Sequence, residues 1–130
     1  IYVGDSSTDS VTLKWVKQGG GLVVAFNGNK DAIREADVAC VSYSAIVILI
    51  IGHVFFKEGK SGATDLILKW SPETLNKYGI DDKLVSACFD TYNNNVTMIE
   101  MVEESNRLDL ITKSESFRKV IRTKEVGSLG

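Results

Sequence analysis

Gly4-Asp5-Ser6-Ser7-Thr8-Asp9 places two carboxylates four residues apart, directly after the apolar run Ile1-Tyr2-Val3. If that run is a strand of a parallel sheet, the carboxylates stand at its carboxyl end, where strand ends and helix amino termini converge on a ligand crevice. Oxygen ligands in this arrangement suit Mg2+, which takes one or two carboxylates and completes its shell with water and phosphate. Backbone amides of the same turn can then hold phosphate oxygens. The six residues also read as a plain polar turn in which Thr8 or Asp9 caps the following helix.

The elements that must position these groups follow a βα rhythm over the first 42 residues. After the turn, Val11, Leu13, Trp15 and Val16 are loosely helical, and Gly19-Gly20-Gly21 stops the helix. Leu22-Val23-Val24-Ala25-Phe26 is a continuous apolar run of strand length, the pattern of a strand covered on both faces. Asn27-Gly28-Asn29 is a turn, Lys30–Ala36 a short helix and Val38–Val41 a further short strand. Two βα units predict a parallel sheet of two to three strands with right-handed crossovers, an α/β and partly Rossmann-like architecture. From Tyr43 onward helix signals dominate. Ala45–Phe56 is nearly all apolar, Gly59 and Gly62 punctuate, and Asp65–Trp70 continues helically. Ser71-Pro72 opens a short helix that Gly79 closes. Asp81-Asp82 reads as a helix cap, and Lys83–Tyr92, Val96–Thr112 and Glu115–Arg122 are three further expected helices. The division expected is thus residues 1–42 as a sheet-bearing part and 43–130 as a helical region packed on the same core.

Strand, GDxxxD, helix, Gly20-Gly21-Leu22-Val23-Val24-Ala25-Phe26-Asn27-Gly28-Asn29, Ala32 and Ala36-Asp37-Val38, in this order, resemble the final segment of haloacid dehalogenase (HAD)-like phosphohydrolases. The likeness is to the phosphoserine-phosphatase-like branch and its uncharacterised archaeal relatives, and it covers about the first third of the chain. The resemblance implies a HAD-like Rossmannoid core with Asp5 as a Mg2+ ligand and Asp9 ligating or orienting its shell through water. It also implies that Ser6, Thr8 and Asn27 line the phosphate crevice. Many relatives carry asparagine before the second aspartate, where this chain has Thr8, whose hydroxyl reaches less far. The reaction implied is phosphomonoester hydrolysis through an aspartyl-phosphate. Its nucleophile and acid/base lie in a DxDx[TV] motif upstream of GDxxxD, and the 130 residues contain no such motif. The chain also opens directly on a strand, without methionine or leader. The expectation is therefore the metal-binding portion of a phosphatase, with a weak or incomplete Mg2+ site and no catalytic residue of its own. A separate amino-terminal half carrying the nucleophile is the implied partner. The alternative is a non-catalytic interaction or oligomerisation module that keeps the fold.

Composition narrows the other classes. With 44% apolar residues, one proline and 25% charged residues, the 130-residue chain buries one domain's core. A net charge of −2 offers no general field for nucleic acid. Cys40 and Cys88 have no CxxC or histidine partner and read as buried free thiols of a reducing, cytoplasmic compartment. His53 is the single histidine, so zinc centres and Ser-His-Asp chemistry lack parts. Val38–Phe56 runs nineteen residues without a charge, but its first part fits a strand and the twelve residues Ala45–Phe56 are too short to span a bilayer. That segment is expected to be buried or to form a homo-oligomer interface. Lys113, Arg118, Lys119, Arg122 and Lys124 make a basic tail, read either as a solvated helix face or as a contact for an anionic partner.

Overall fold

Leu22 to Ala25 are all at most 2% exposed, as a doubly covered strand requires, and they sit inside a sheet with helices on both faces. The structure, a computed structural model, describes residues 1–6, 10–89 and 97–129, with the side chains of 10 and 124–129 excepted. In chain order the elements are β1 (Tyr2–Gly4), α1 (Ser10–Gln18), β2 (Val23–Phe26), α2 (Lys30–Glu35) and β3 (Val38–Val41). They continue with α3 (Ile46–Leu68), α4 (Pro72–Lys77), α5 (Asp82–Phe89), β4 (Met98–Met101) and α6 (Arg107–Leu129).

The strands lie in the order β1-β2-β3-β4. β1, β2 and β3 are parallel, with Val3 opposite Val24 and Ala25 opposite Ala39, so the βα reading of the first 42 residues holds. One layer joins Leu13 of α1, Ala32 and Ile33 of α2, and Leu110 and Ile111 of α6 to Val23, Ala25 and Ala39 of the sheet. The opposite face carries Leu22, Val24, Val38, Cys40 and Ile99 against Val47, Ile51, Ala63 and Ile67 of α3. Behind α3, Ile50, Val54 and Leu66 pack on Leu75, Ile80, Val85 and Cys88. Both cysteines are free and buried. Burial, and secondarily the neighbouring Cys88, push the Cys40 thiol up to about 12, so it is a neutral packing group.

Local signals explain the element ends. Ser71 caps α4 by accepting from the Thr74 N–H (3.1 Å), with Pro72 at the first helical position. Gly79, at φ 77°, ends it: its N–H donates to the Asn76 carbonyl and the Ile80 N–H to the Leu75 carbonyl. Asp81 accepts from the Lys83 N–H (2.8 Å) and caps α5. Gly59, at φ 72°, kinks α3 where the sequence is punctuated.

Two expectations are corrected. Val96–Thr112 is not one helix: Met98–Met101 forms β4, antiparallel to β3 with Val38 opposite Met101, and α6 begins only at Arg107. Glu115–Arg122 is likewise no separate helix but the middle of α6. The end of the expected Lys83–Tyr92 helix, from Asp90 on, lies outside the described residues. Ala45–Phe56 is only partly hidden: Ile50 and Ile51 are buried, whereas Leu49 is 62% and Phe56 90% exposed. Among the described residues, no helix is long and apolar enough to cross a membrane.

Candidate functional site

Parallel pairing of the adjacent strands β1 and β2 puts the loops that follow them side by side at the carboxyl ends of the sheet. Asp5 follows β1 and Asn27-Gly28-Asn29 follows β2. The two loops are tied together by the Asn29 N–H, which donates to the Asp5 carbonyl (2.8 Å). Asn29 also caps α2 by accepting from the Ala32 N–H (2.9 Å). Asn27 takes the left-handed conformation (φ 48°), its N–H donates to the Cys40 carbonyl, and its side chain pairs twice with Ser42 after β3. In that pair Nδ2 donates to the Ser42 carbonyl and Oδ1 accepts from the Ser42 N–H, both at 2.9 Å. At Gly28 a Cβ would meet the Ala25 Cβ at 2.9 Å and the Ala32 Cβ at 3.2 Å, so the turn has room for glycine alone.

Helix α6 then closes over this turn with Ser114, Arg118 and Arg122, spaced i, i+4, i+8 along one face. Ser114, 1% exposed, donates from Oγ to the Gly28 carbonyl (2.6 Å). Arg118 donates from Nη1 to the Asn27 carbonyl (2.6 Å), with the Asp5 carbonyl at 3.4 Å and the Asp5 Oδ2 at 3.7 Å. Arg122 continues the stripe. Val3, Gly4, Asp5, Phe26, Asn27, Arg118, Ile121 and Arg122 together line a cleft of about 430 Å³.

The expected site residues are distributed unevenly over this geometry. Asp5 is at the cleft with its side chain 67% exposed. Asn27 lines the cleft too, but its amide is committed to Ser42, which leaves its carbonyl facing Arg118. Ser6 follows Asp5 and is half-buried. Thr8 and Asp9 lie outside the described residues. Sequence reading missed the α6 contribution. Arg118 falls in the basic tail of the sequence, yet it is only 18% exposed and reaches back to the loops after β1 and β2. The i, i+4 spacing of Ser114 and Arg118 was the available signal. The Lys124 side chain lies outside the described residues.

Asp37, part of the quoted Ala36-Asp37-Val38 run, serves the opposite end of the sheet. Its Oδ2 accepts from the Val23 N–H (2.9 Å), its N–H donates to the Val23 carbonyl, and its carbonyl accepts from Val102. It is a clamp that starts β2 and β3 in register.

As a donor set for Mg2+, the described residues lining the cleft offer one accessible carboxylate, Asp5, and the described residues hold no group of three acidic, histidine or cysteine side chains placed to share a metal. One carboxylate at an open cleft fits a cation that keeps most of its shell as water and phosphate.

No protein-family model matches the sequence, and no curated protein matches it. Among solved structures, the gene product AF1437 from Archaeoglobus fulgidus is similar with a TM-score of 0.66 and 26% identity. The likeness covers 92% of this chain and 31% of that one. The chain is therefore similar to a part of a longer archaeal protein. It shares the α/β architecture over nearly its whole length.

Proposed function

We propose that this chain is the Mg2+-binding, carboxyl-terminal portion of a HAD-like phosphomonoester hydrolase. The observation that carries the reading is Asp5 at the carboxyl end of a parallel strand, opening on a cleft shared with the β2 turn and α6. The ordered strand, GDxxxD, helix, strand and Asn27 set adds the family resemblance. Asp5 and Asp9 would hold the cation, which when bound offsets phosphoryl charge and orients the transferred group. Ser6 and Thr8 belong to the loop that would meet phosphate oxygens. The aspartate nucleophile comes from a segment other than these 130 residues, since none of their aspartates stands two positions from another. Support for such a partner lies along β1. Among the described residues β1 pairs only with β2; Ile1 and Val3 are 47% and 37% exposed, and Val11 and Trp15 of α1 are each 75% exposed. An apolar strand edge of this kind is normally covered. The similar archaeal structure is also far longer than this chain. The two buried free thiols favour a reducing, cytoplasmic setting.

Calorimetric titration with Mg2+ tests the reading. A site short of the nucleophile's carboxylate binds weakly, on the order of millimolar, and Asp5→Asn abolishes the heat. Binding that survives Asp5→Asn overturns the assignment.

A further inference from the structure

Among the described residues that line it, the cleft carries more positive charge than its one aspartate needs. Asp5 contributes one carboxylate, while Arg118 and Arg122 contribute two guanidiniums. Arg118 is preorganised: only 18% exposed, it is pinned by the 2.6 Å bond to the Asn27 carbonyl. Its contacts to Asn27 and Asp5 all run through Nη1, which leaves the Nη2 and Nε donors of a five-donor group free of hydrogen bonds to the described residues. The approach to the Asp5 carboxylate, 3.7 Å, is longer than a hydrogen bond, so this pairing is a charge contact that a better acceptor can replace. Arg122 lies one turn further along the same face, exposed at the mouth of the cleft, and forms no ion pair with the described carboxylates. Val3, Phe26 and Ile121 supply apolar walls.

We propose that Arg118 and Arg122 form a two-guanidinium arm that receives the oxygens of a phosphoryl group in this cleft. Asp5 competes for Arg118 until its own charge is neutralised. The inference rests on the phosphatase reading and deepens it: α6 supplies the anion contacts while the β1 loop supplies the metal ligand. Paired arginines at i, i+4 suit the planar, forked recognition of phosphate oxygens, whereas lysine would supply only a point charge. Because cation and anion meet through the same carboxylate, their binding is reciprocally coupled, each favouring the other.

The test is titration of inorganic phosphate into the full chain without divalent metal, followed by amide shifts at constant ionic strength set with chloride. Phosphate is expected to shift Gly4, Asp5, Asn27 and the Arg118–Arg122 turn, and Arg122→Gln to weaken binding by on the order of tenfold. Arg122→Lys recovers only part of the loss. Asp5→Asn is expected to strengthen phosphate binding several-fold, opposite in sign to its abolition of Mg2+ binding. That opposition separates the two claims. If Asp5→Asn abolishes Mg2+ binding but Arg122→Gln leaves phosphate affinity unchanged, the arginine arm is wrong and the metal reading stands. Chloride producing the same shifts, or no phosphate response in the wild-type chain, also overturns the arm. Because Arg122 is exposed and makes no ion pair with the described carboxylates, its substitution keeps the amide dispersion of the folded chain and the result remains interpretable.

Discussion

Asn27 does the work of three residues: its positive φ turns the chain after β2, its side chain latches Ser42, and its carbonyl anchors Arg118. Asparagine tolerates the left-handed region better than most residues, and here its amide is satisfied at both ends. Asn27→Ala removes two hydrogen bonds and keeps the strained backbone, so it should cost about 2–4 kcal/mol. Asn27→Gly relieves the backbone part and should cost less. Urea midpoints for the two variants check this, and an alanine variant as stable as wild type would contradict it. At this scale Asp5 was legible because a glycine-aspartate pair after an apolar run is a local signal. Arg118 was not, because its partners lie 91 and 113 residues away, and nothing in a basic helical stretch says which arginine turns inward. The same holds for Asp37, whose role as a sheet clamp depends on the Val102 backbone brought to it by β4.

Among the elements, the misread strand is the instructive one. Met98, Ile99 and Val102 fit a helical stripe as well as a short strand, and a four-residue strand carries too little pattern to decide. What decides is the unsatisfied edge of β3, which β4 pairs along four residues. Asn106 then ends the excursion by donating to the Met101 carbonyl and accepting from the Glu103 N–H before α6 starts. In α3 the helix itself was legible from its apolar run, but which residues face inward was not, because an all-apolar segment has no polar face to orient it. Ile50, 1% exposed against Leu75, Ile80 and Val85, should not accept charge. Ile50→Glu is expected to cost on the order of 3–5 kcal/mol, whereas Glu104→Lys, exposed in the turn before α6, should stay within about 0.5 kcal/mol. Thermal melts of both variants are the check, and an unperturbed Ile50→Glu would mean α3 is not packed as described.

The whole molecule is a three-layer unit with one well-covered edge region and one bare one. β4 and α3 enclose the β3 side, while the β1 side exposes Ile1 and Trp15 at a hollow of about 500 Å³ that they line with Val16, and Val3 of β1 and Val11 of α1 are exposed as well. Leu49 and Phe56 add a second apolar set on α3. Bare apolar surface of this extent favours association, most simply between two copies when no other partner is supplied. Light scattering at tens of micromolar is expected to give a dimer or larger species, reduced in Phe56→Glu, and a clean monomer would contradict the expectation. The parallel βα order was readable from the first 42 residues because each strand and turn there is signalled locally. The placement of α6 over the strand ends was not, since it follows from packing alone. The proposed Mg2+ site of Asp5 at the carboxyl end of β1 is tested by amide shifts recorded during Mg2+ titration. Shifts in the millimolar range are expected at Gly4, Asp5, Ser6 and Asn27 to Asn29, and they should vanish in Asp5→Asn. Shifts confined to other parts of the chain, or unchanged by Asp5→Asn, would contradict it.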